Sequence, residues 1–129
     1  MVIDSSAVVA ILLEEPEAGV FAKAIAADAV RLMSAVSAFE AAIVIEARKG
    51  EAGGREFDLL MHRTRIELVP FRAEHLELTR WAWRRFGKGR HSAGLNLGDC
   101  FSYALAKSLG EPLLFRGNDF SRTDIRGCI

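Results

Sequence analysis

Four acids in the 129-residue chain stand in unusual company. Asp4 closes the short apolar run "MVID". Glu40 lies within "SAFEAAIVIEAR", among Phe39, Ala41, Ala42, Ile43, Val44 and Ile45. Asp99 follows Gly98 in "LNLGDCFSYALAK", where Leu97, Phe101, Ala104 and Leu105 recur at the spacing of a packed helical face. Asp119 falls in "GND", just past the apolar run "PLLFR". Taken singly, two of them have ordinary explanations. An acid near a helix start gains about 0.3–1 kcal/mol from the macrodipole, which would account for Asp99, and an Asp in a Gly-Asn-Asp turn would account for Asp119. Glu40 and Asp4 resist such readings, because a carboxylate buried without a partner costs several kcal/mol or shifts its pKa.

Together the four suggest a shared purpose. Carboxylates that converge repel one another, and a fold keeps such a cluster when something positive sits within it. The donors are oxygens alone, with no His or Cys among them. That set suits a hard cation, Mg²⁺ or Mn²⁺. Such an ion lowers the pKa of bound water and stabilises charge on a phosphate in transfer.

The elements needed to bring these acids together are legible in outline. "MVID" reads as a buried strand and "SSAVVAILLEE" as a helix capped by Ser5 or Ser6. Pro16 ends it and opens "PEAGVFAKAIAAD". "VRLMS" is a second strand. Ser34 or Ser37 caps "AFEAAIVIEARK", which ends at Lys49-Gly50, and "GGREFDLLMHRT" is a further helix. "IELVPF" is a strand and "AEHLELTRWAWRRF" an amphipathic helix. A Gly-rich loop, "GKGRHSAG", leads to a helix with Asn96 as candidate cap and Gly110 as its stop. "PLLFR" is a strand, followed by a turn that leads to a candidate short last strand. Strands alternating with helices imply a mostly parallel sheet of four to five strands with helices on both faces, an α/β fold. Apolar runs rather than alternation suit strands covered on both sides. Since ligands of such folds sit beyond the carboxyl ends of the strands, the four acids are expected near one edge of the sheet.

Bulk properties narrow the classes. One domain, residues 1–129, is expected from the length, and half the residues are hydrophobic, which excludes a disordered chain. Lys and Arg number 17 against 17 Asp and Glu, so a polybasic binder is excluded. Basic residues are nevertheless clustered: "RWAWRRFGKGRH" carries Arg80, Arg84, Arg85, Lys88, Arg90 and His91 with no acid. Arg84, Arg85, Lys88 and Arg90 are the candidates for holding a polyanion beside the acids. Cys100 and Cys128 form no metal-binding or redox motif, and the first residues lack the basic segment of a secretory leader, so a cytoplasmic location is expected. No apolar run approaches the ~18 residues of a membrane span.

The segments "MVIDSSAVVAILLEEPE", "SAFEAAIVIEAR", "GLNLGDCFSYALAK" and "PLLFRGNDFSRTDI" resemble the four acidic motifs of PIN-domain ribonucleases, most closely the VapC-type toxins of toxin–antitoxin pairs. The resemblance implies a PIN-like three-layer α/β/α sandwich and a Mg²⁺- or Mn²⁺-dependent endoribonuclease acting on tRNA, rRNA or mRNA, leaving 5′-phosphate and 3′-hydroxyl ends. It implies a homodimer and a small cognate antitoxin whose C-terminal tail blocks the active site. By position it implies Asp4 and Asp99 as metal ligands, Glu40 and Asp119 as the remaining acids, and Ser6, Asn96 and Asn118 as polar supports around them. The fourth motif departs from the common pattern: Gly117 and Asn118 stand where relatives often carry acids, which leaves Asp119 or Asp124 as the fourth acid. A haloacid-dehalogenase-like phosphatase would need an acid at Ser6, and a phosphoreceiver would need one near Pro70-Phe71 and a Lys near Arg116-Gly117. The alternative from another class is a non-catalytic PIN-like binding module.

Overall fold

The computed structural model describes residues 1–129. A parallel sheet of four short strands runs through the molecule: β1 (Val2–Ile3), β2 (Leu32–Ser34), β3 (Glu67–Val69) and β4 (Leu113–Leu114), in the spatial order β3-β2-β1-β4. Val2 pairs with Leu32 on one side and Leu113 on the other. Five helices connect the strands: α1 (Ser5–Leu12), α2 (Ala18–Ala27), α3 (Ala35–Thr64), α4 (Leu76–Phe86) and α5 (Leu97–Leu109). No helix is long and apolar enough to cross a membrane.

Alternation along the strands sorts the core into two layers. Ile3, Met33 and Leu114 face one way and join Ala7, Val8, Phe21, Ile25, Ala38 and Ala41 from α1, α2 and α3. Val2 and Leu113 face the other way, onto Ala82, Phe86, Cys100, Tyr103, Leu105 and Ala106 from α4 and α5. The result is the three-layer α/β/α sandwich.

Chain order matters more than layer count. β1, β2 and β3 follow one another in one direction across the sheet, and β4 returns to the opposite flank of β1. Connections therefore diverge between β1 and β4, and a crevice opens beyond their carboxyl ends. Asp4 follows β1 and Asp119 follows β4, so the topology delivers both to that crevice.

Several local features differ from the sequence reading. Asp4, not Ser5 or Ser6, caps α1, its side chain accepting from the Ser6 amide; the serines already lie in the first turn. Ser34 caps α3, and the two helices expected on either side of Gly50 are both present, running on across a kink at that residue, which takes φ 63°, ψ −153°. Near the C-terminus no fifth strand forms. Leu113 instead makes a single bridge to Gly127, with the Leu113 amide donating to the Arg126 carbonyl and the Cys128 amide to the Leu113 carbonyl. β3 is a half-exposed edge strand, with Leu68 51% exposed, rather than a strand covered on both faces. At α5 the reading and the structure agree: Asn96 caps the start, and Gly110 ends the helix in the left-handed region at φ 65°.

Ile25 is 1% exposed in the α1–α2–α3 layer and remote from the acids. Ile25→Ala is expected to lower the free energy of unfolding by about 2–5 kcal/mol, as read by urea denaturation.

Candidate active site

Asp4, Glu40, Asp99 and Asp119 line one cavity of about 320 Å³, together with Ser5, Ser6, Asn96 and Arg116. Each arrives on a different element. Asp4 stands between β1 and α1, and Glu40 lies in the second turn of α3. Asp99 lies in the first turn of α5, and Asp119 precedes a 3₁₀ turn at Phe120–Arg122.

Asp4 is only 2% exposed. Donors on both of its oxygens make that burial tolerable. The Ser6 amide and hydroxyl donate to Oδ2 at 3.0 and 2.6 Å, and the Ser102 hydroxyl donates to Oδ1 at 2.5 Å. Ser102 lies 3.0 Å from the hydroxyl of Ser37 on α3, so a line of hydroxyls crosses from one helix layer through to the carboxylate. Glu40 accepts from the Ser5 hydroxyl at 2.5 Å. Asp99 and Asn96 form a reciprocal capping pair: the Asn96 amide donates to Asp99 Oδ2 at 3.0 Å, and the Asp99 amide donates to Asn96 Oδ1 at 2.8 Å. Ser5, Ser37 and Ser102 escaped the sequence reading. Ser102, three residues after Asp99 and on the same helical face, carried a positional signal; Ser37 carried none beyond its candidacy as a cap.

At Gly98 the start of α5 lies against a side chain of α3. A Cβ built on it would run into the carboxylate of Glu40. Glycine here lets the start of α5 lie against that side chain, which keeps Glu40 and Asp99 in the same cavity.

None of these four acids forms an ion pair with a cationic side chain. The electrostatic result shows at Asp99, whose carboxyl is pushed up to about 7. Burial is the main cause, and the negative charges of Asp4, Asp119 and Glu40 add to it, outweighing the opposing hydrogen bond from the Asn96 amide. Capping thus explains where Asp99 sits but not the charge crowded around it. No three His, Cys, Asp or Glu side chains close into a ready ligand set. Glu40 and Asp99 each have an oxygen engaged by a local donor, and Asp4 has both engaged. An all-oxygen, like-charged and unpaired set fits a hard cation that keeps much of its own water, as Mg²⁺ does.

Asp124 stands apart from the cavity. It accepts from the Tyr103 hydroxyl at 2.7 Å and pairs with Lys107 at 2.9 Å, so Asp119 is the acid of the fourth motif that reaches the others. Asn118 also lies outside the cavity, in a recess with Glu17 and Arg116. Ser6 and Asn96 lie within it.

The basic candidates scatter. Arg84 lines a recess with Tyr103 and Asp124, and Arg85 lies over Trp81 and Phe86 at 5.7 and 5.6 Å. Arg90 stacks on Trp83 at 4.5 Å and donates to the Arg84 carbonyl. Lys88 alone of the four lines a groove that adjoins the acids, an apolar recess of about 540 Å³ that shares Asn96 with the cavity and is walled by Phe71, Trp83, Leu97 and Phe101. The cause is helical geometry: consecutive arginines on α4 point in different directions, so a basic run in sequence is not a basic face.

Known proteins resemble this chain in sequence and in fold. The family profile of the PIN domain matches residues 1–126. The VapC ribonuclease Mb0640 of Mycobacterium bovis is 58% identical over 125 residues, covering 97% of this chain and 95% of that protein. The ribonuclease VapC of Mycolicibacterium smegmatis is also 58% identical, covering 97% of each. Among solved structures, Mycobacterium tuberculosis VapC20, a sarcin–ricin loop cleaving toxin, superposes with a TM-score of 0.77 at 17% identity, covering 96% of this chain and 95% of that one. That last likeness concerns the fold.

The raised Asp99 pKa carries a sign for stability. Unfolded, the group titrates near 3.8; folded and metal-free, near 7. Between these values the folded chain binds the proton more tightly, so the contribution of Asp99 to stability falls as pH rises through the window. A ¹³C-detected carboxyl titration of the metal-free protein is expected to place Asp99 near 7 and to move it down in Asp119→Asn. A wild-type midpoint near 4 would show that burial and the neighbouring acids do not act on Asp99 as described.

Proposed function

The chain belongs to the PIN-domain family, among the VapC ribonucleases, and from that membership we propose that it is a divalent-metal-dependent endoribonuclease toxin held in check by a cognate antitoxin. One observation carries the reading: acids from four separate elements line a single cavity and none is neutralised by a cation of the protein.

In this reading Asp4 and Asp99 hold Mg²⁺ or Mn²⁺. When bound, the ion supplies Lewis-acid stabilisation of charge on the scissile phosphate and acidifies water. Glu40 and Asp119 orient the attacking water and accept its proton. Ser5 fixes one oxygen of Glu40 and leaves the other for that task. Asp119 is exposed at the mouth of the cavity, where it meets solvent. Ser6 and Ser102 hold Asp4 in a single orientation, which spares the reaction the cost of ordering it. Attack by water on phosphorus with departure of the 3′-oxygen, which takes up a proton, gives a 5′-phosphate and a 3′-hydroxyl.

RNA is the proposed substrate, from the tRNA, rRNA or mRNA pool of the cytoplasm. The partners are a small antitoxin protein and a second copy of the chain. Exposed apolar side chains around the groove beside Asn96, among them Phe71, Leu76, Trp83 and Leu97, support a surface covered by protein.

Asp4→Asn and Asp99→Asn are each expected to reduce cleavage of RNA by the purified protein by about 10²-fold or more, while the circular dichroism spectrum is retained. Undiminished cleavage by Asp99→Asn would remove the proposed chemistry. Independently, Mg²⁺ or Mn²⁺ at a hundred times its Kd is expected to add about 2.7 kcal/mol of stability, a rise in melting temperature of roughly 10 °C for a domain of this size. Absence of any rise in wild type would favour a non-catalytic binding module.

A further inference from the structure

Arg116 is the single cationic side chain lining the carboxylate cavity. Its backbone is tied into the site: the Arg116 amide donates to the Ser6 hydroxyl at 3.0 Å, and that hydroxyl donates to Asp4 at 2.6 Å. Its guanidinium turns away from the four acids. Nε donates to Glu17 at 3.1 Å, and Nη2 lies 3.6 Å from Glu15. The segment between α1 and α2 presents those two glutamates. Glu14 adopts φ 54°, a left-handed conformation disfavoured for a residue with a side chain, and the Glu15 amide closes back onto the Ala10 carbonyl at 2.9 Å. Pro16 then fixes the path to Glu17.

Two carboxylates on one guanidinium leave that corner of the cavity net negative. All three side chains are 31–43% exposed, so the pairing is screened and readily exchanged. An Arg on a flexible stem, anchored at its backbone beside Asp4, is free to swing from its glutamates to the cavity it lines, and a phosphodiester accepts its two-pronged donor geometry as a carboxylate does. We propose that Arg116 grips a phosphate of the RNA at the rim of the carboxylate cavity, and that Glu15 and Glu17 compete with that phosphate for its guanidinium and so set the affinity for RNA. This rests on the ribonuclease reading above.

A purely structural Arg116–glutamate clamp and a competitive one predict opposite effects of removing the glutamates. The test measures binding of a short fluorescein-labelled single-stranded RNA of mixed sequence by anisotropy across a salt series. Every protein also carries Asp99→Asn to prevent cleavage. Arg116→Ala is expected to weaken binding by about tenfold and to reduce the slope of log Kd against log salt by about 0.7, one phosphate contact on a single strand. Arg116→Lys is expected to keep the slope. Glu15→Gln/Glu17→Gln is expected to tighten binding by roughly threefold or more. Unchanged or weaker binding by the glutamate double variant, with a lowered melting temperature, would overturn the competition and leave a clamp. An unchanged slope in Arg116→Ala would overturn the phosphate contact. If wild type cleaves RNA and these variants bind as Asp99→Asn alone does, only this inference fails; if wild type cleaves no RNA, the ribonuclease reading fails first.

Discussion

A carboxylate with almost no access to solvent must find its hydrogen bonds inside the protein, and Asp4 is that carboxylate here. It takes a backbone amide and a hydroxyl from Ser6 and a hydroxyl from Ser102, and it caps α1 at the same time. Its own amide donates to the Leu114 carbonyl, which ties it to the strand across the switch point. The other acids are arranged around this fixed one. Donors that are neutral rather than cationic satisfy its geometry but leave its charge standing, and that charge reaches Asp99. Had an arginine paired with Asp4, the same burial would have been satisfied and the cavity would attract a cation less strongly.

The neighbouring helices serve this arrangement in different ways. α3 contributes Glu40 near its capped start and Ser37 on its inner face, while beyond the Gly50 kink it packs Phe57, Leu60 and Met61 against the core. α5 contributes Asp99 and Ser102 one turn apart, and farther along it holds Tyr103 and Lys107 against Asp124. That second contact anchors the segment carrying Asp119 to the helix carrying Asp99. Two acids that meet in the cavity are thus linked through a third that lies outside it.

Asp4, Glu40 and Asp99 were legible in the sequence because each breaks an apolar pattern, and a broken pattern needs a reason; between Asp119 and Asp124 only the fold shows which one lines the cavity. The parallel order of strands followed from their alternation with helices, and the caps at Ser34 and Asn96 followed from residue type. The hydroxyls were not legible, since a serine in a helix has a dozen ordinary uses and only the fold shows that Ser37 and Ser102 meet. The cations were harder to place for a related reason. A run of arginines reads as one patch along the chain, but Arg84 lines a recess, Arg85 lies over Trp81 and Arg90 over Trp83, while an isolated Arg116 lines the cavity. Asp4 as its own helix cap was hidden because Ser5 and Ser6 compete for that role on paper; the end of the strand decides it.

Gly98 closes the account from the opposite direction, by what it lacks. The space a methyl group would take is filled by the Glu40 carboxylate, whereas its neighbour Leu97 is 77% exposed. Adjacent positions therefore face unequal freedom under mutation: the first takes a side chain only if the Glu40 carboxylate gives way, and the second is open to many. A lineage that discarded the acid at position 40 would release position 98 as well, so the two losses would travel together through descent.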